Sequence, residues 1–589
     1  MNLVTTSFWD RSSFKRKPLF LGEWCIPFSR VDELKNVQHE VAPYHWDDRD
    51  RMRHDYIQID HLYESVLAQL SNGLSDIHNK DVAPRYWRIV LGPWLFYFIS
   101  VLWERYHTVE FVLESRKGVD LITDIHPPRS DSQIPVNLPD YFYHLKTEWW
   151  NKQTYDDVLR YLSPEICGYY GSPPEEPEVY STQQFLQNPS NSKLKNWAHA
   201  GLALMARRSS RHVILNSGIN SKDLALLNGM LWQVPIIRIV QHHNRVSKPN
   251  LLLRNKLSAN ISSGSRFSVF LTEQLTTQIP RIYLEDFNWA VNRGFLSYPK
   301  NPESIITGYG FLDDDIFKIW AAEQIEKGAK LSIFQHGGQF GIRLFDQTED
   351  HQFAISDLFY SWGWEGDNSR KIVPMSSPKL SLATRVAQPD KNGKILMIFQ
   401  PTFRYSLRLS AEPVGPQIKR YLENQILFLN NLNVDLRRQT TLRLYSGEDH
   451  WAFKSRIEEE GYSELISDRT ESFWQQLKKS RILILTYNST TLLEALTLNF
   501  PTLMFWDPKC WELNDRAKPW FEAFMDLGVL YATPEGAAGK LLEIHDDVNG
   551  WWNDNEIQCL RRSFCREFCR TSTKWKAEWA KEILKGTQK

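Results

Sequence analysis

Between residues 394 and 545 the chain alternates short apolar, β-rich runs with helical patterns, and this constrains its fold more than any other feature. KILMIFQ (394–400), TLRLY (441–445), RILILT (481–486), PTLMFW (501–506) and residues 529–531 read as strands. Residues 471–479, 490–498 and 536–545 read as helices between them. Parallel strands cannot be joined by a tight hairpin, so strand–helix–strand alternation predicts a parallel sheet with crossover helices. The same alternation runs upstream. HVILN (212–216), PIIRIV (235–240), ESIIT (303–307) and KLSIFQ (330–335) read as strands. The helix SKDLALLNGMLWQ is read as capped by Ser221. A second helix spans 313–329, with acidic residues in its first turn where the helix dipole favours them. Residues 374–393, rich in Pro and Ser, read as a linker. Two such units predict a cleft, since open parallel sheets bind ligands at the carboxyl ends of their strands.

The N-terminal region reads differently. PLFLGEWC (18–25) opens with a short strand, followed by an aromatic loop through Tyr44, His45, Trp46, Asp47, Asp48 and Arg49. Residues 55–74 carry apolar positions at helical spacing. The apolar run WLFYFISVLW (94–103), flanked by Arg88 and Glu104, is shorter than a membrane span and reads as a core helix. Residues 131–196 are polar and Pro-rich and predict an insertion or irregular connection, while 553–584 predict one long helix. A chain of 589 residues predicts two or three domains. Its 70 Lys and Arg balance 70 Asp and Glu, with no basic stripe, which argues against nucleic acid as a partner. Six cysteines without a CxxC pair predict neither a disulfide framework nor a zinc site, and Cys565 and Cys569 fit a buried helix face. The 23 tryptophans suit stacking on sugars and equally suit filling cores. Residues 1–10 lack a signal-peptide pattern. The expected location is the cytoplasm, with peripheral contact at the inner face of the cytoplasmic membrane left open.

Three motifs carry chemistry. In RILILTYNSTTLLEALTLNFPTLMFW (481–506), the turn Asn488, Ser489, Thr490, Thr491 precedes a helix, whose free N–H groups suit a phosphate or diphosphate. Ordinary N-capping by Ser489 or Thr490 uses the same groups. Glu494 lies one turn on and suits ribose hydroxyls. In QHGGQFG (335–341), His336 ends a strand as a candidate general base, and Gly337 and Gly338 allow close backbone approach to a donor. Downstream, Glu349 and His351 are read on a loop as further catalytic candidates, near Asp346 and Asp350. Arg404 and Arg443 follow strands and suit phosphate. Asp313, Asp314 and Asp315 read as a helix start, so no metal site is expected.

The 481–506 segment and the two-unit layout resemble GT-B glycosyltransferases, which pair two facing Rossmann-like domains. The family's glycine-rich turn is here Asn-Ser-Thr-Thr. Residues 21–25, 43–49, 85–95, 335–341, 355–364 and 486–506 also resemble a transferase family of bacterial lipopolysaccharide and surface-carbohydrate gene clusters. The resemblance implies an α/β, GT-B-like fold with an N-terminal helical and aromatic extension and a C-terminal helix crossing back. The domain plan is an acceptor-side domain over 1–373, the 374–393 linker, a nucleotide-sugar domain over 394–550 and a helical segment over 551–589. The resemblance implies a nucleotide-sugar donor as substrate, no cofactor, and a glycan or lipid-linked glycan acceptor. Glu23, Trp24, His45, Asp47, Arg49 and Arg88 are the acceptor-side candidates, with a polar network tying loops to the core as the alternative. A sugar-nucleotide 2-epimerase, a polyol-phosphate transferase and a glycan-binding scaffold stay open on the same residues.

Overall fold

The computed structural model describes residues 1–169, 210–236, 247–259, 261, 264–366, 371–383, 389–400, 403–445, 447, 450–467 and 470–586. The expected strand at 235–240, insertion at 131–196 and linker at 374–393 each fall partly outside them. The protein is a mixed α/β fold with parallel sheets, and its contacts divide it into two compact units. The first comprises Met1–Ser217, Trp232–Leu331 and Tyr405–Leu409; the second comprises Gly218–Leu231, Ser332–Arg404 and Ser410–Lys589.

The first unit opens with a sheet where the sequence predicted a helical extension. Strands β1 (Asn2–Val4), β2 (Pro18–Phe20) and β3 (Glu40–Val41) lie parallel in the order β1-β2-β3. Strands β4 (Thr123–Ile125) and β5 (Cys167–Tyr169) form a second parallel pair. A parallel bridge from Asn2 to Ile122, with Leu3 N–H donating to Ile122 O at 2.8 Å, places β4 on the free side of β1. The resulting order is β3-β2-β1-β4-β5, and it reverses direction between β1 and β4. Strands of two or three residues scattered along a long stretch of chain give no period to read, so the sheet escaped the sequence pattern. Strands β6 (His212–Leu215) and β7 (Ser304–Thr307) pair in parallel within the same unit.

Two long helices, Arg49–His78 and Pro84–Ser115, pack against each other. Asp48 caps the first by accepting from the N–H groups of Asp50 and Arg51, and Asn79 ends it in the left-handed region at φ 50°. The second is long and apolar enough to cross a membrane by length and composition, yet its apolar window is almost entirely buried against protein. Residues 131–169 correct the expected irregular connection. They contain the helices Leu138–His144 and Glu148–Leu162, the latter with Trp149, Trp150 and Tyr155 buried. Its polar residues are paired internally: Lys152 with Asp156, and Asn151 with Arg105 at 3.0 Å. Polar composition signals a solvated loop only when those groups face water.

The second unit holds β8 (Lys330–Phe334) from Ser332 on, paired in parallel with β9 (Leu358–Ser361), which pairs with β10 (Ile372–Pro374). Its larger sheet joins β11 (Lys394–Ile398), β12 (Thr440–Arg443), β13 (Ser480–Leu485), β14 (Thr502–Phe505) and β15 (Leu530–Tyr531) in the order β12-β11-β13-β14-β15. Leu483, Ile484 and Leu485 are wholly buried, as expected of a strand covered on both faces. The order reverses between β11 and β13. Two sequence readings need correction here. The helix Ser221–Met230 is capped by Asn220, whose side chain accepts from Asp223 N–H. The expected helix at 553–584 is two, Asn555–Phe568 and Trp575–Gly586. Between them Ser572 Oγ turns the chain by donating to Glu578 at 2.6 Å and accepting from Lys574 N–H, local bonds that compete with the helix. Trp579 on the last helix packs on Phe334 of β8 and Tyr360 of β9.

Candidate functional site

The reversal between β11 and β13 marks a topological switch point, the place where open parallel sheets bind ligands. Thr486, just past β13, donates to Ile398 O of β11 at 2.8 Å and shares a 2.6 Å bond with Tyr421 OH, which fixes the two strand ends together. Tyr487 OH bonds Thr491 Oγ1 at 2.9 Å, and burial pushes its phenol up to about 12. The turn then delivers the helix Thr490–Thr497. Its N-cap residue Ser489 makes no side-chain cap bond. The opening of the helix therefore lacks the hydroxyl cap that ordinarily satisfies its first amides. Asn488 is 1% exposed, and its Oδ1 has no hydrogen-bond partner among the described residues.

The glycine loop after β8 sits on this helix start. Gly338 N–H donates to Thr490 Oγ1 at 2.9 Å. A β-carbon on Gly338 would lie 2.5 Å from Thr490 N and 2.6 Å from Ser489 C, both backbone atoms, so only glycine fits. Buried Gln335 braces the loop. Its Oε1 accepts from Trp362 N–H and Trp364 Nε1–H, each at 2.8 Å, and its Nε2 donates to Gly337 O at 2.8 Å. Gly341 holds φ 72° and donates to Glu349 Oε1 at 2.9 Å. His336 is half-buried, its ring edge-on to Phe340 at 4.9 Å.

Glu494 lies one turn into the helix and is nearly buried. Burial raises its carboxyl above the usual range, and Lys379, 3.1 Å away, pulls it back. Thus the sequence candidates Gly337, Gly338, Asn488, Ser489, Thr490, Thr491 and Glu494 come together in the second unit, with His336 on the same loop as Gly338.

Other candidates are placed differently. Glu349 and His351 were read on a loop; they belong to the helix Gln347–Ile355, capped by Asp346. Consecutive polar residues hid that helix, because its buried face carries Gln347, Thr348, His351 and Gln352, with Ile355 the one apolar residue among them. Glu349 clamps Gly341, and His351 is 5% exposed. Arg443 donates to Glu471 O at 3.0 Å and Gln476 Oε1 at 2.7 Å, so two of its bonds go to protein. Arg404 is half-buried.

The acceptor-side set does not form one surface. Trp24 is an interior ring stacked on Tyr155, with Nε1–H donating to Thr5 O at 3.0 Å. His45 is buried against Thr108 at 3.0 Å, and burial, then Arg51, His107 and Arg105, hold it well below the usual imidazole range. Arg88 forms a two-pronged pair with Glu64. Glu23 and Arg49 are half-buried and Asp47 is exposed.

The sequence reading missed Gln335, Tyr487 and Arg343. Arg343 is buried and bonds Ser410 Oγ at 2.8 Å, Glu412 at 2.8 Å and Asp346 at 3.3 Å, anchoring the loop two residues past Gly341. Only its proximity to the glycine loop could have flagged it.

Comparison with known proteins gives three findings. A search of curated proteins yields no match. Among solved structures, the chain is similar to WaaG, a glycosyltransferase involved in lipopolysaccharide biosynthesis, at 14% identity over 48% of this chain and 75% of that one, with a TM-score of 0.23. It is also similar to the trehalose-6-phosphate synthase OtsA, at 9% identity over 55% of this chain and 81% of that one, with a TM-score of 0.26. The model of the LIC12162 family transferase matches residues 1–583, and the chain belongs to that family.

Proposed function

We propose that this protein is a glycosyltransferase that moves a sugar from a nucleotide-activated donor to a glycan acceptor during assembly of bacterial surface polysaccharide. The observation that carries the reading is the helix start at Thr490. It lies at a switch point, lacks a side-chain cap, and adjoins the uncommitted buried edge of Asn488 and a glycine loop. Amides at a helix N-terminus favour a phosphate, so the donor's phosphate rests there and Glu494 accepts from ribose hydroxyls. The acceptor hydroxyl attacks the anomeric carbon, the bond from that carbon to the phosphate oxygen breaks, and the nucleotide leaves. The helix dipole offsets the charge that develops on the leaving phosphate, so the reaction runs without a metal. His336 takes the acceptor's proton. The surface-polysaccharide context rests on the family resemblance in the sequence.

The test is thermal unfolding against CMP, CDP, UDP, GDP, TDP and ADP, for wild type and Glu494→Ala. A nucleotide at about 100 times its Kd stabilises by about 2.7 kcal/mol. One nucleotide raises the wild-type Tm and loses its effect in the variant. If none shifts the wild type at saturating concentration, the donor site is wrong.

A further inference from the structure

The N-terminal sheet has a switch point of its own. Its order β3-β2-β1-β4-β5 reverses between β1 and β4, and a cavity of about 540 Å³ opens at the carboxyl ends of those two strands. That volume lies within the range of small-molecule sites, about 300–1,000 Å³. Thr5 and Ser7, following β1, line one side; His126, following β4, and Lys152 line the other.

Three residues that line the cavity each hold a buried polar atom that, among the described residues, has no hydrogen-bond partner: Asn2 Oδ1, Thr5 Oγ1 and His126 Nδ1. Their residues are 9%, 2% and 8% exposed. Buried polar groups are paired in the great majority of proteins, and three orphans around one cavity are accounted for by a ligand that supplies the partners. Asn2 Oδ1 needs a donor, and Thr5 Oγ1 both donates and accepts. Burial, then Lys152 and Arg160, push the His126 imidazole down to about 4, so near neutral pH it too presents an uncharged ring.

Two of the three cations that line the cavity are committed to protein partners, and the third, Lys15, is exposed. Lys152 pairs with Asp156 and donates to Asp124 O, and Arg30 pairs with Glu33 while donating to Ser7 O and Trp9 O. The turn after β1, Thr5-Thr6-Ser7-Phe8-Trp9, contains no glycine through which backbone could approach a phosphate. Phe8 and Trp9 add an apolar wall. Uncharged partners of both senses beside aromatic rings match a ring that bears several hydroxyls on a C–H framework.

We infer that this cavity is a second binding site that takes a neutral saccharide, one end of the glycan acceptor. The role as acceptor rests on the glycosyltransferase reading; the existence of the site does not.

Ligand-observed saturation-transfer NMR on the full chain tests it, with D-glucose, D-galactose, D-mannose, L-rhamnose and N-acetyl-D-glucosamine as probes. At least one probe receives saturation from wild type. Thr5→Val, nearly isosteric, weakens that binding about fivefold to tenfold, the worth of one hydrogen bond. His126→Phe weakens it similarly, and Glu494→Ala leaves it unchanged. Thermal unfolding accompanies each variant; Thr5→Val keeps or raises Tm, because it removes an unsatisfied group. Absence of binding by every probe, or binding that survives both cavity variants, overturns the proposal. Loss of nucleotide binding with sugar binding retained would sink the donor assignment alone.

Discussion

Replacing Gly338 by alanine tests the contact that organises the candidate donor site. The added carbon would stand 2.5 Å from Thr490 N and 2.6 Å from Thr490 Cα, against 3.4 Å and beyond for ordinary contact. The opposing atoms are backbone at a helix start, and no side chain can swing aside. The loop must retreat by roughly 1 Å, which also stretches the 2.9 Å bond from Gly338 N–H to Thr490 Oγ1. Overpacking of this kind costs about 1–3 kcal/mol. Urea unfolding reads that as a lower midpoint with an unchanged m-value. Misplacement by about 1 Å at reacting groups costs about 100-fold in rate, so turnover of the donor falls far more than stability does. Thr490→Val separates the two effects. It keeps the shape, deprives Gly338 N–H of its acceptor, and costs about 1–3 kcal/mol with a smaller loss of nucleotide binding. A Gly338→Ala protein with wild-type midpoint and wild-type nucleotide binding would refute the reasoning.

Further outcomes are expected. Gln335→Leu strands Trp362 N–H and Trp364 Nε1–H, at about 1–3 kcal/mol for each buried group, so Tm falls by several degrees. Lys379→Ala leaves Glu494 buried without its cation, so its carboxyl rises further and nucleotide binding falls off more steeply toward acid pH than in wild type. His78 is held down to about 4 by burial, against 6.5 unfolded; Tyr283 O, which its Nε2 meets at 3.0 Å, opposes the shift. The unfolded chain therefore binds the extra proton between pH 6.5 and 4. The neutral ring's contribution is fully present above pH 6.5 and is lost as pH falls to 4, by about 3 kcal/mol at most. Urea titrations at pH 7.5 and 5 show this slope, and His78→Phe flattens it; an unchanged slope counts against burial as the cause.

What the sequence made legible follows from how far each signal extends. Runs such as RILILT and PTLMFW are buried on both faces and bounded by polar turns, so β13 and β14 were readable to within a residue. The approach of Gly338 to Thr490 was not, because it joins positions 152 residues apart. Each side was suspected separately; only the fold shows that the glycine and the hydroxyl serve each other. Trp24, His45 and Arg88, read either as acceptor-side residues or as a network tying loops to the core, show the converse. Aromatic and charged residues in a loop look identical in sequence whether they face solvent or close a buried network. The cavity beside Thr5 was hidden because its sheet is built from fragments. Asn2 and Leu3 meet Ile122 and Thr123 only after the long helices have folded back.

The placement of β1 also orders events during synthesis. This strand is central in its sheet, yet the partner on one side, Ile122, is made 120 residues after Asn2. At roughly 5–20 residues per second, translation leaves β1 with one edge open for about 6–24 seconds. An open strand edge templates pairing with other chains. Ribosome-bound nascent chains stalled before residue 122 should therefore be the aggregation-prone population, and those stalled beyond Tyr169 should not.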